Sequence, residues 1–172
     1  MKAIIIVMSL ITSVFYAQNS DEIELANRIN NLVTTNIPNL AGKNYFIFDA
    51  TETDTFIISK INNNYTYYKL HINRGPGVQI SSRVISFHPV IDKIFTNFTP
   101  KTGVKKYLSE YERKDFNYSV PPKIYFAIYK NGVKTFDYYL PSHLDNNPIE
   151  SPIDNETLSF LYEYLLVNPD KL

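Results

Sequence analysis

The dipeptide Asn131-Gly132 constrains the fold more than any other feature of this chain. It separates an apolar run over residues 123–129 from a second over residues 133–140. A two-residue connection between such runs closes as a hairpin whose turn residues both take positive φ, a conformation that Asn and Gly accept at little cost. The two runs must therefore pair antiparallel, and any sheet that holds them is built at least in part from hairpins.

Upstream runs read the same way. Tyr45-Phe46-Ile47-Phe48 is aromatic and β-branched and predicts a strand ending at Asp49. Residues 55–61 predict a second strand, after a turn at Thr51-Glu52-Thr53-Asp54. Asn62-Asn63-Asn64 supplies the next turn, because Asn tolerates the left-handed region. Residues 65–73 predict a third strand. Its alternation assigns Thr66, Tyr68, Leu70 and Ile72 to the core and Tyr65, Tyr67, Lys69 and His71 to water. Residues 78–87 predict a fourth strand, with Ser81-Ser82-Arg83 offering a place for a bulge. Arg74-Gly75-Pro76-Gly77 separates the third and fourth as a loop.

Helical spacing surrounds these blocks. Leu25, Ile29, Leu32 and Val33 form one stripe and predict a helix over 21–35, ended by Pro38. Ile91, Ile94, Phe95 and Phe98 repeat the spacing behind Pro89, with His88 as a local capping residue. Val104, Tyr107, Leu108 and Tyr111 predict another helix after Thr102. Near the end, Ser151 as cap, Pro152 in the first turn and Asp154 two residues on predict a helix whose buried stripe is Leu158, Leu161, Tyr162 and Leu165. Strands thus come in hairpin blocks rather than alternating with helices. The expected fold is α+β: an antiparallel sheet built as hairpins and a meander, with helices packed on one face, in a single compact domain.

The first residues read as an address. Lys2 precedes an uncharged, mostly apolar run over 3–15, and the first acids arrive at Asp21 and Glu22. That layout matches a secretory signal peptide, with cleavage expected near Ala17 or Gln18. The run falls short of the roughly 20 apolar residues a membrane-spanning helix needs. The chain has no cysteine, so an exported domain of this kind would hold together without disulfides, which favours a bacterial periplasmic or secreted protein. The expected organisation is a leader over 1–18 and one domain over 19–172. Its size suffices to bury about 68–70% of the unfolded surface, so no covalent staple is required.

Charge excludes one class of partner. Basic and acidic side chains number 17 each, far from the basic excess of a protein that grips phosphates, so nucleic acid is not expected. Among Lys101, Lys105, Lys106, Arg113 and Lys114, the acids Glu110, Glu112 and Asp115 intervene, as on a solvated helix face.

Sites of chemistry are sparse. His71, His88 and His143 are too far apart in sequence for a local metal pair, and no metal or cofactor is expected. The acid-rich turns at Asp49–Asp54 and Asp145–Glu150 lack the spacing of a calcium loop. Arg74-Gly75-Pro76-Gly77 lacks the Gly-Lys-Ser/Thr of a phosphate loop. His143 with Asp145 and Glu150 could serve acid–base chemistry, although no Gly-x-Ser-x-Gly elbow surrounds any serine. Tyr65, Tyr67, Lys69 and His71, with Arg74 at the strand end, form the candidate binding face: tyrosine gives apolar area with a hydroxyl, and the cations attract an anion. The leading expectation is an exported, non-catalytic binding or interaction module for an unknown ligand or protein partner. The alternatives are an exported hydrolase using His143 and Asp145, and a structural component of the cell envelope.

Overall fold

A computed structural model describes residues 20–51, 53–73, 75, 77–101, 124–140 and 151–172. Helix α1 (Ser20–Asn36) and a short 3₁₀ turn (Pro38–Leu40) precede four strands, β1 (Asn44–Asp49), β2 (Asp54–Ile61), β3 (Asn64–Ile72) and β4 (Val78–Ile85). Helix α2 (Pro89–Thr96) follows, then β5 (Ile124–Lys130) and β6 (Val133–Leu140). Helix α3 (Asn155–Phe160) widens into a π-helical stretch (Leu161–Val167), and a 3₁₀ turn (Pro169–Lys171) ends the chain. The strands form one antiparallel six-stranded sheet in the order β4-β3-β2-β1-β5-β6. The domain is α+β, as the hairpin blocks require. Among the described residues no helix is long and apolar enough to cross a membrane. The expected leader, the helix expected near 104–111 and the loop with His143, Asp145 and Glu150 lie outside the described residues.

The expected hairpin forms at Asn131-Gly132, where φ is +52° and +77°. β5 and β6 run out from it with a register shift beside Ile128 and Tyr129. The turn also packs against the entrance to β1. The amide of Gly132 donates to the Lys43 carbonyl at 2.8 Å, and that of Asn131 to the Asn44 side chain at 2.8 Å.

Helices cover both faces of the sheet, which corrects the expectation of one covered face. Ala26, Ile29 and Val33 of α1 bury Tyr45, Ile47, Ile57, Leu70 and Tyr125 on one side. Ile91 and Ile94 of α2, with Phe160, Leu161 and Leu165, bury Phe46, Phe48, Phe56, Ile58 and Phe126 on the other. The cause is visible in the strands: β1 is apolar at consecutive positions, β2 is buried at five consecutive positions, Thr55 to Ser59, and β5 at all but its last, so neither side can be left to water. The centre of the α1 stripe is Ala26 rather than Leu25, which packs from the flank. Two hydroxyls of the sheet fasten α1 in place, Tyr139 to the Glu22 carbonyl at 2.5 Å and Tyr129 to the Asn30 side chain.

Capping differs in detail. His88 caps α2 as expected, its ring nitrogen accepting from the Val90 amide at 3.3 Å. The last helix begins later than its sequence suggests. Asp154, not Ser151, is its cap and accepts from the Thr157 amide at 3.1 Å, while Ser151 accepts from the Ile153 amide in the turn before it. Asp154 stands one residue before the helical run and Ser151 four, so only Asp154 is placed to cap the amides of the first turn.

Candidate functional site

β3 carries most of the candidate binding residues, and its neighbours settle which of them reach solvent. Tyr65 is 3% exposed and Tyr67 4%, so the expected sidedness fails at this end of the strand. Their face meets α2 and the C-terminal turn. Tyr65 stacks on Phe95 with ring centroids 6.0 Å apart, and its hydroxyl donates to Asp92 at 2.7 Å, where Lys60 also binds at 2.7 Å. Alternation alone could not decide between two half-apolar faces, and the helix packing decided it.

Tyr67 lies beneath Arg83 of β4, its cross-strand partner, whose guanidinium carbon sits 5.0 Å from the ring centroid. Arg83 in turn donates to the Pro169 carbonyl and lies 3.6 Å from Asp170, which ties the C-terminal turn to the sheet. The Tyr67 hydroxyl is buried and has no hydrogen-bond partner among the described residues. Burial pushes the phenol up to about 12, against the pull of Arg83.

Beyond Tyr67 the same face opens. Lys69 and His71 reach half-exposed positions, opposite Ser81 and Gln79 of β4. Together with Ile80 these residues line an open depression of about 510 Å³. From the other side Asp54 of β2 sits directly across from His71. One carboxylate oxygen lies 2.7 Å from His71 Nδ1 and 3.4 Å from Lys69 Nζ. The Thr51 hydroxyl accepts from the Asp54 amide at 2.9 Å and fixes the start of β2. Lys69 also stands 5.6 Å over the Phe56 ring. Arg74, the fifth expected contact residue, lies outside the described residues.

This arrangement is built by register. Two cross-strand rows run side by side, Asp54–His71–Gln79 and Phe56–Lys69–Ser81. Asp54 was missed as a member, although the sequence held a signal for it. β2 and β3 are joined through Asn62-Asn63, and a two-residue connection fixes every pair beyond it. Counting outward from the Ile61–Asn64 pair brings Asp54 opposite His71.

Chemically, the carboxylate holds the imidazole by Nδ1 and leaves Nε2 for another group. Among the described residues no hydroxyl hydrogen-bonds His71. The side chains facing the depression offer an ammonium, an imidazole, an amide and a hydroxyl, a set suited to holding a polar group. Asp49 and Asp54, which the sequence places in one acid-rich turn, part company. Asp54 turns to the depression, whereas Asp49 is buried under α1 and accepts from the Thr55 hydroxyl at 2.5 Å. Among the described residues no group of three or more acids and histidines is arranged to hold a metal ion. No protein-family model, curated protein or solved structure matches this chain.

Proposed function

We propose that this chain is an exported, non-catalytic binding or interaction module whose contact surface is the depression bordered by Lys69, His71, Gln79 and Ser81. The observation that carries the reading is the alignment of those four side chains in adjacent cross-strand pairs beside an open hollow of about 510 Å³. Tyr65 and Tyr67, buried further along the same strand, are not contacts of this surface. Asp54 orients His71 and balances part of the charge, so the surface suits a ligand that presents hydrogen-bonding groups of both kinds rather than a bare polyanion. Residues 1–18 are the export leader under this reading.

The test is capture of binding partners from native secreted or periplasmic extract on the immobilised chain. The Lys69→Ala/His71→Ala double variant should lose the partner, while Lys134→Ala on the opposite sheet edge should keep it. Equal capture by the double variant, with unchanged circular dichroism, would reject this surface. N-terminal sequencing of protein recovered from its native cells should begin just after Ala17 or Gln18, and an intact Met1 would reject export.

A further inference from the structure

The two edges of the sheet are built differently. At β6 the ladder is interrupted by the register shift beside Ile128 and Tyr129, and Lys134 and Asp137 form an ion pair at 2.6 Å on the strand. Bulges and charges of this kind discourage a further strand. β4, at the other end, pairs with β3 without interruption from Tyr65–Ile85 to Ile72–Val78, which also shows that the bulge expected at Ser81-Ser82-Arg83 does not form. Its one charge, Arg83, is folded back over Tyr67 and the Pro169 carbonyl. Ile80 is 47% exposed and Val84 74%, both with side chains on the α1 side of the sheet, Ile80 also bordering the depression at the strand edge.

The phase of the ladder fixes which backbone groups face outward. The Asn73 amide donates to the Gly77 carbonyl at 3.3 Å, so that pair is of the hydrogen-bonded type. Antiparallel pairs alternate in type. The inward-bonded residues of β4 are therefore Gln79, Ser81, Arg83 and Ile85, and the N–H and C=O groups of Val78, Ile80, Ser82 and Val84 point to the edge where no further strand pairs among the described residues. Three of these outward residues, Ile80, Ser82 and Val84, read alike in both directions about Ser82: a β-branched apolar residue, a serine, a β-branched apolar residue.

We propose that β4 is a self-pairing edge that joins a second copy of this chain across a two-fold axis at Ser82. Ser82 then faces Ser82 of the second copy, and Ile80 faces Val84. Each such pair exchanges two backbone hydrogen bonds, and the exposed β-branched side chains cover one another on the α1 side. On the opposite side Arg83 meets Ser81, so no like charges oppose. A foreign strand could use the same backbone groups but would not need this palindrome. The pairing extends the sheet through both copies and leaves Lys69 and His71 on the other side, so it can fail while the binding surface stands.

The absence of cysteine makes the test direct. Ser82→Cys should cross-link to itself rapidly under mild oxidation, because directly paired residues lie about 5.5 Å apart, within disulfide reach. Val84→Cys should not, since Val84 of the two copies would be separated by about 13 Å along the strands. Sedimentation of the unmodified chain should show a dimer that dissociates on dilution, and Val84→Lys should weaken association about tenfold or more without altering circular dichroism. A chain that stays monomeric at every concentration overturns the proposal, as does cross-linking of Ser82→Cys no faster than that of Val84→Cys.

Discussion

The hydroxyl of Thr55 lies 2.5 Å from the carboxylate of Asp49, and this pair sits on the face of the sheet that α1 covers. Burial is the main influence on Asp49 and raises it from its ordinary value near 3.8 to about 6, against the Thr55 hydrogen bond and the field of Arg28, which pull it down. Between those values the folded chain holds the proton more tightly than the unfolded chain. The group thus favours the fold most in acid, and that contribution is lost as pH rises to about 6. The cost at neutral pH is at most about 3 kcal/mol. Asp49→Asn should therefore be more stable than the parent by about 1–3 kcal/mol near neutrality, with the gap closing toward pH 4. Urea unfolding of both proteins at the two pH values gives the answer, and a gap independent of pH would contradict it.

Gly132 tests the turn. Its φ is +77°, and a Cβ there would lie 2.7 Å from the Gly42 amide nitrogen and 3.0 Å from its Cα, both backbone atoms. Gly132→Ala should cost about 1–3 kcal/mol from the backbone conformation alone, with the collision in addition. Thermal unfolding should show a drop of several degrees at least. Little change would mean that the turn can move away from the entrance to β1.

Two buried phenols make a matched comparison. The Tyr67 hydroxyl has no hydrogen-bond partner among the described residues, whereas that of Tyr139 donates to the Glu22 carbonyl. Tyr67→Phe should leave stability within about 0.5 kcal/mol or raise it, and Tyr139→Phe should lower it by about 1 kcal/mol. The same denaturation experiment measures both, and the opposite order would show that the Tyr67 hydroxyl has a partner of its own.

Much of this fold was legible because its signals are local. Asn131-Gly132 encodes its own turn, His88-Pro89 encodes a helix start, and the Asn62-Asn63 connection encodes the register that sets Asp54 against His71. What was not legible depends on distant packing. Tyr65 and Tyr67 alternate correctly for a strand, but only the arrival of α2 and of Pro169–Lys171 decides that they are covered. The second covered face was written in the uninterrupted Tyr45-Phe46-Ile47-Phe48 run, yet that run alone names no covering helix. The candidate site was half legible: Lys69 and His71 stand open, while Gln79 and Ser81 join them only through the β3–β4 register.

Asp154 offers a further check on the late start of α3. Its carboxylate accepts from the Thr157 amide at 3.1 Å and the Thr157 hydroxyl at 2.9 Å, and it lies 3.0 Å from Lys93 of α2. Asp154→Ala should cost about 1–2 kcal/mol, whereas Ser151→Ala, which removes no helix cap, should cost less. Equal losses in chemical denaturation would place the cap at Ser151 after all.

β1 lies at the seam between the β1–β4 meander and the β5–β6 hairpin, pairing Phe46 with Ile58 on one side and with Ile128 on the other. The first of these contacts closes a short loop; the second must wait for a long one, whose entropic toll delays its formation. During that interval the outer side of β1, lined by Tyr45 to Phe48, stands unmet. A nascent molecule is therefore most prone to stick to its neighbours before the last hairpin arrives, and dilution or a chaperone that shields β1 should raise the yield of native protein.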